Sequence, residues 1–287
     1  MNDLDEIATL LGEPEPSAGA VARGRERLRR RARSGRARRR MGWFVAGAAL
    51  AAAAGSAAAV VFTAGAPVND GASVTGKEVL LMAAVTAERT PQGSGTYWHV
   101  THKGFETGSA PMESWTRRDG RRWTRGMEDG PPDAVVPAPA ARTLSLKGAE
   151  VSFEELEGLP TDPEALKAWI VARKGEEANM SASEIRGDPT LTLLALITDL
   201  PTPTAVRSAA FRALAATPGL VDVGAVEGGR HLRFPDPDGG EDDLELVVDP
   251  DKARVVRADL VILDDGSIAF NAGFFSVDTE WTDRLPR

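Results

Sequence analysis

The stretch ESWTRRDGRRWTR, Glu113 to Arg125, decides the fold class. Two runs rich in β-formers flank Asp119-Gly120, a dipeptide that supplies the two φ > 0 positions of a tight hairpin turn. A two-residue turn there predicts that Trp115 and Trp123 point to opposite faces, one toward the core and one outward. Upstream, Thr96-Tyr97-Trp98-His99-Val100-Thr101-His102 reads as another strand. Downstream, Leu220–Val226, His231–Phe234, Leu244–Val248, Arg254–Leu263 and Ile268–Val277 read as short strands separated by turns rich in Gly, Pro and Asp. Helices stand before and between these runs. The first covers Val79 to about Glu88. Ala165–Arg173 follows Thr161-Asp162-Pro163-Glu164, which combines a cap, a first-turn Pro and a capping-box Glu. Thr190–Asp199 opens after Asp188-Pro189, and Thr204–Ala216 opens after Thr202-Pro203. Hairpin-linked strands with helices grouped between them define an antiparallel α+β domain, because the spacing is too short for parallel crossovers throughout.

Charge divides the chain unevenly. Residues 1–40 hold eleven Arg against six acids, while the remainder holds 23 Lys and Arg against 36 acids, within a net charge of -8. Between Arg40 and Asp70 no charged residue occurs, and Met41 to Ala66 (MGWFVAGAALAAAAGSAAAVVFTAGA) is long enough to cross about 30 Å of hydrocarbon as a helix. Its flanks are asymmetric, with an Arg cluster from Arg23 to Arg40 on one side and Pro67, Asn69 and Asp70 on the other. Basic residues stay on the cytoplasmic side, so the N-terminus is expected inside and the large domain outside. Ala64-Gly65-Ala66 has the small-x-small form of a signal-peptidase site, but Pro67 follows it directly, so an uncleaved signal anchor is the expected outcome. The organisation read from the sequence is therefore a cytoplasmic Arg-rich tail (1–40), a transmembrane helix (41–66), a linker (67–76) and an extracytoplasmic α+β domain (77–287) of the cell envelope.

In the leader, Leu4, Ile7, Ala8 and Leu11 recur at helical spacing before Gly12 and the Glu13-Pro14-Glu15-Pro16 break. A helix this short is marginal alone, so its stripe calls for a partner: the bilayer, the second Arg-rich helix or a cytoplasmic regulatory protein with Leu4, Ile7 and Leu11 as anchors. The Arg cluster is explained by topology and attraction to the lipid bilayer, and no nucleic-acid partner is expected of a basic run that lacks interleaved aromatics.

Several segments together carry a resemblance: the Arg-rich leader, the single anchor, the Trp115–Trp123 hairpin, Leu159-Pro160-Thr161-Asp162-Pro163-Glu164-Ala165-Leu166, Ala213 to Gly219, and Leu246-Val247-Val248-Asp249-Pro250. With these the chain resembles an uncharacterised family of actinobacterial single-pass membrane-anchored proteins, which supplies no catalytic residues. More distantly it is similar to the periplasmic lipoprotein-carrier fold and to the periplasmic regulators of anti-sigma factors that share it. That resemblance implies a curved, half-barrel-like antiparallel sheet with helices packed on it, and a lipid or amphiphile as ligand.

Candidate chemistry is sparse. The chain has no Cys, which excludes disulfides, thiolate metal sites and a catalytic cysteine. His99 and His102 lie three apart in a strand and should face opposite ways, so they cannot share one metal; His231 stands alone. No nucleophile, phosphate-loop or dinucleotide motif accompanies them, and no enzymatic activity, cofactor or metal is expected. Asp236, Asp238, Glu241, Asp242 and Asp243 surround a Pro/Gly turn without the ligand spacing of a calcium loop and read as a solvated turn. Glu154, Glu155 and Glu157 read as solubilising charge. The hairpin is the exception within an acidic region: Arg117, Arg118, Arg121, Arg122 and Arg125 form a candidate anion-binding surface. The reading that follows is a membrane-anchored extracytoplasmic binding or sensing protein, with a transmembrane regulator or a structural envelope protein as alternatives.

Overall fold

A computed structural model describes residues 74–104, 110–126, 133–138, 144–240, 243–262 and 268–285, with side chains left undescribed over 262 and 268–272. The run 41–66, the leader with Leu4, Ile7 and Leu11, and the linker up to residue 73 lie outside the described residues. Among the described residues no helix is long and apolar enough to cross a membrane.

Helix α1 (Gly76–Arg89) starts the domain, so the last linker residues belong to its first turn. Thr75 caps it: the Glu78 amide donates to Thr75 Oγ1, and Glu78 returns the contact to the Thr75 amide at 2.7 Å. Its buried face is Val79, Leu80, Ala83, Ala84 and Ala87. Strands β1 (Tyr97–Lys103), β2 (Met112–Arg117), β3 (Arg122–Arg125) and β4 (Val136–Pro137) form one meander. A small hairpin, β5 (Leu144–Leu146) and β6 (Ala149–Val151), then leads into helices α2 (Phe153–Glu157), α3 (Pro163–Ala172), α4 (Ala182–Ile185), α5 (Thr190–Thr198) and α6 (Thr204–Leu214). A second meander closes the chain: β7 (Val221–Val226), β8 (Gly229–Phe234), β9 (Leu244–Asp249), β10 (Arg254–Ile262) and β11 (Ile268–Thr282).

The two meanders merge into a nine-stranded antiparallel sheet of order β4-β3-β2-β1-β11-β10-β9-β8-β7. It is open, with β4 and β7 as its edges. The first and last long strands meet at its centre, in register from Tyr97↔Thr282 to Lys103↔Ser276. The Gln92 to Gly95 loop approaches β11 so closely that a Cβ on Gly95 would stand 2.8 Å from the Thr282 amide nitrogen, and one on Gly93 would stand 2.7 Å from the Trp281 ring.

The hairpin differs from its expected register. The Arg117 amide donates to the Arg121 carbonyl at 2.8 Å and the Gly120 amide to the Arg117 carbonyl at 2.9 Å, with Gly120 at φ 86°. The loop is thus three residues, Arg118-Asp119-Gly120, with Gly in the left-handed position, rather than a two-residue turn. One extra loop residue shifts the pairing by one, so Trp115 lies directly opposite Trp123 and both share a face. The α3 cap also differs: Asp162, not Thr161, accepts the Ala165 amide at 2.9 Å, which frees Glu164 to pair with Lys167 at 2.7 Å.

Helix α5 has all nine residues buried. A mainly apolar helix with no exposed face belongs inside a core, and this one lies against β10 and β11 and against α6. Helix α6 packs in turn on α1, and both helices bury alanines: Ala209, Ala210 and Ala213 on α6, Ala83, Ala84 and Ala87 on α1. Glu88 of α1 ties the two together, accepting from Ser208 Oγ and Arg212 Nη2, each at 2.8 Å. These bonds, Arg212 foremost, hold its carboxyl below the usual glutamate range.

Candidate functional site

Alternation along β1 sends Trp98, Val100 and His102 toward the helices and His99 and Thr101 to the other side. The two central histidines therefore face opposite ways, as their spacing requires. On the helix side, β1 grips the turn that follows α5. Trp98 Nε1 donates to the Asp199 carbonyl at 2.7 Å, and His102 Nε2 lies 2.9 Å from Asp199 Oδ1. Both His102 and Asp199 are buried. Burial alone would lower the imidazole pKa. The charge and hydrogen bond of Asp199 together outweigh that and raise it above 6.5, against a smaller opposing effect of Arg122.

Asp199 is the root of a buried connection, Leu200-Pro201-Thr202, that delivers the chain into α6. Pro203 offers no side-chain cap, and Gln92 from the loop before β1 supplies one, its Oε1 accepting the Thr204 amide at 2.9 Å. Between this corner and the central strands lies a pocket of about 280 Å³. Trp98 and Trp281 line it from β1 and β11, in edge contact with ring centroids 5.5 Å apart. Thr202 and Arg207 line it from the α5–α6 corner, Lys252 from the β9–β10 turn and Arg254 from the start of β10. The Thr202 hydroxyl and Arg207 Nε are buried without a hydrogen-bond partner among the described residues. Arg207 Nη2 reaches only the Thr202 carbonyl, at 3.4 Å. Burial, and next the positive charge of Arg254, push the guanidinium pKa down to about 10.

The opposite face of β1 and β2 carries a polar cluster around Trp115, which is 1% exposed. His99 stacks on its ring at 4.6 Å with planes 7° apart, and the Arg125 guanidinium sits 5.4 Å from the same ring. Glu113 links the two side chains, accepting from both Arg125 Nε and Nη2 and lying 3.2 Å from His99 Nε2. Glu280 of β11 reaches His99 Nδ1 at 3.5 Å.

The five hairpin arginines do not form one surface. Arg117 and Arg121 turn to Asp119, whose carboxyl pKa falls to about 2 chiefly through the Arg117 hydrogen bond. Arg118 pairs with Glu157 at 2.6 Å and stands over the Phe153 and Trp281 rings. Arg125 is held by Glu113, and Arg122 lies on the helix side, where it bears on His102. The glutamates read as solubilising charge are partly structural, since Glu155 pairs with Arg173 as well as Glu157 with Arg118. His231 lies 3.4 Å from Glu245. In the acidic turn, Asp236 accepts the amides of Asp238 and Gly240, and Asp243 pairs with Arg233 at 3.3 Å; Glu241 and Asp242 lie outside the described residues. Among the described residues no group of three or more His, Asp or Glu is placed to hold a metal ion.

Sequence reasoning did not single out the pocket residues. One signal was present: Arg207 stands three and four positions before the buried Ala210 and Phe211 and seven before the buried Leu214, within the apolar stripe of α6. Comparison with protein-family models, curated proteins and solved structures returns no match for this chain.

Proposed function

We propose that the chain is a membrane-anchored extracytoplasmic binding protein, without catalysis, whose ligand enters the pocket between the central strands and the α5–α6 corner. The observation that carries this reading is the pocket itself: a recess with a wall of two tryptophans and a few convergent polar groups, the usual make-up of a small-molecule site. Its volume lies at the lower edge of the roughly 300–1,000 Å³ common for such sites. Helix α5 occupies the sheet face that a lipid carrier would keep open. Both points favour a small amphiphile over a full acyl chain. The anchor and the outward orientation rest on the uncharged run 41–66 and its one-sided Arg flank.

Two measurements test the reading. Protease applied to intact spheroplasts should remove the chain beyond about residue 70 and spare the leader; protection of the large domain would sink the orientation. Native mass spectrometry of the full chain purified from its own host should show a retained small molecule, lost when Trp98 and Trp281 are both replaced by Ala.

The leader stripe favours a second reading, a transmembrane regulator of a cytoplasmic protein. Replacing Leu4, Ile7 and Leu11 together by Ala should then abolish co-purification of that protein while leaving membrane insertion intact.

A further inference from the structure

Arg207 is a cation set into the wall of the pocket with no carboxylate beside it among the described residues; the one charged group that bears on it is a second cation, Arg254. Interior charges are ordinarily paired, because desolvating one alone is costly. The Thr202 hydroxyl in the same wall belongs to a residue only 2% exposed and also lacks a partner. Two unsatisfied groups of this kind in one recess mark a place where the protein leaves hydrogen bonds for something else to make.

We infer that the pocket binds a small organic oxyanion, a planar apolar body carrying a phosphate or carboxylate group, with Arg207 and Thr202 taking the oxyanion and the two contacting tryptophans forming one aromatic wall beside the body. This deepens the binding reading given above and rests on it. A guanidinium is matched to such oxygens by its planar fork of donors, and a hydroxyl adds one donor more. Other charges at the site largely balance. Lys252 is shared with Asp249 at 2.7 Å, Arg254 reaches Asp278 at 3.8 Å, and Glu280 leans toward His99. Arg207 is left as the uncompensated centre. The N-terminus of α6 adds a favourable field, although the Thr204 amide is already taken by Gln92. The aromatic wall selects for the body: Trp98 is fixed by its bond to Asp199 and Trp281 by its contacts with Trp98 and Phe153, so both present pre-set surfaces.

The test is calorimetric titration of the full chain in detergent, at constant ionic strength, with phenyl phosphate, benzoate and phenol as probes. The two anions should bind at least about tenfold more tightly than phenol. Arg207→Met should abolish that preference and, by removing an unpaired interior charge, melt at a higher temperature than the parent without ligand. A structural arginine would behave oppositely, with a lower melting temperature and unchanged anion binding, and that pair of results overturns the proposal. If Arg207→Met does not fold, Thr202→Val provides the second arm, with an expected loss of a few-fold in anion affinity and none for phenol. Equal binding of phenol and the anions overturns the oxyanion assignment while leaving a binding pocket. If none of the three probes binds, the assignment falls; a ligand still retained in native mass spectrometry then leaves the broader reading intact, and its absence removes both.

Discussion

The hairpin from Glu113 to Arg125 and the pocket at the α5–α6 corner handle positive charge in contrasting ways. The hairpin concentrates five arginines in nine residues, and yet Asp119, Glu157 and Glu113 answer four of them within the fold. The pocket gathers three cations from two distant segments and leaves the most buried of them unanswered. Density of charge along the chain is thus a poor guide to where a cation is free to act. A run of like charges must be neutralised locally if it is to fold at all, because repulsion and desolvation both oppose it. A lone arginine on an otherwise apolar helix stripe carries no such requirement and can be kept for a ligand.

The largest effect that would break this contrast is at Trp115. Its ring holds His99 and Arg125 in place beside Glu113, so Trp115→Ala should remove both the core contact and the platform for the charged cluster, at a cost of about 3–5 kcal/mol. Urea denaturation of the full chain measures it, and a loss below about 1 kcal/mol would mean that the arginines order themselves without the ring. Next comes Asp199→Ala. Removing one partner of a buried ion pair ordinarily costs about 3–5 kcal/mol, but His102 can release its proton, so a loss nearer about 2 kcal/mol is expected. Trp98 still holds the corner through the backbone carbonyl, so phenyl phosphate binding should survive this variant.

A smaller, pH-dependent effect sharpens the same comparison. The folded His102 pKa is raised above the unfolded value of about 6.5, since the Asp199 carboxylate outweighs burial and the opposing charge of Arg122. Its stabilising contribution is therefore complete below about 6.5 and is lost as pH rises through the folded pKa. The melting-temperature difference between the parent and His102→Gln should shrink with rising pH across that window. A difference that stays constant would show that the pair acts as a neutral hydrogen bond.

Much of this architecture was legible because punctuation is local. The Asp188-Pro189 and Thr202-Pro203 starts, the Gly-rich turns that follow β7 and β8, and the alternation through β1 are all written in a few adjacent residues, and all are found where expected. Failures came where one residue decides between two geometries. Asp119-Gly120 suits a two-residue turn and equally a three-residue loop ending in a left-handed Gly, and the choice reverses the face of Trp123. Elements of three to five residues, such as β5, β6, α2 and α4, are too short for periodicity to register. The pocket was hidden for another reason: Trp98 and Trp281 are brought together by pairing the first strand with the last, and Thr202 and Lys252 join them from segments distant in the chain.

The smallest expected effect isolates the lesson. Arg121 lies at the hairpin tip with its side chain 70% exposed and its nearest acid, Asp119, at 3.7 Å. An exposed pair of that kind contributes little in water and is screened further by salt. Arg121→Ala should leave both the urea midpoint and the phenyl phosphate affinity unchanged. Arg254→Ala, which removes a cation from the pocket lining, should weaken phenyl phosphate a few-fold through lost long-range attraction, and less so as salt is raised. If the two variants exchange these outcomes, anions are met by the hairpin, and the density of arginine in the sequence was the better guide. If both weaken binding equally and salt abolishes the difference, recognition is a diffuse attraction to the whole surface, with no special part for the buried guanidinium.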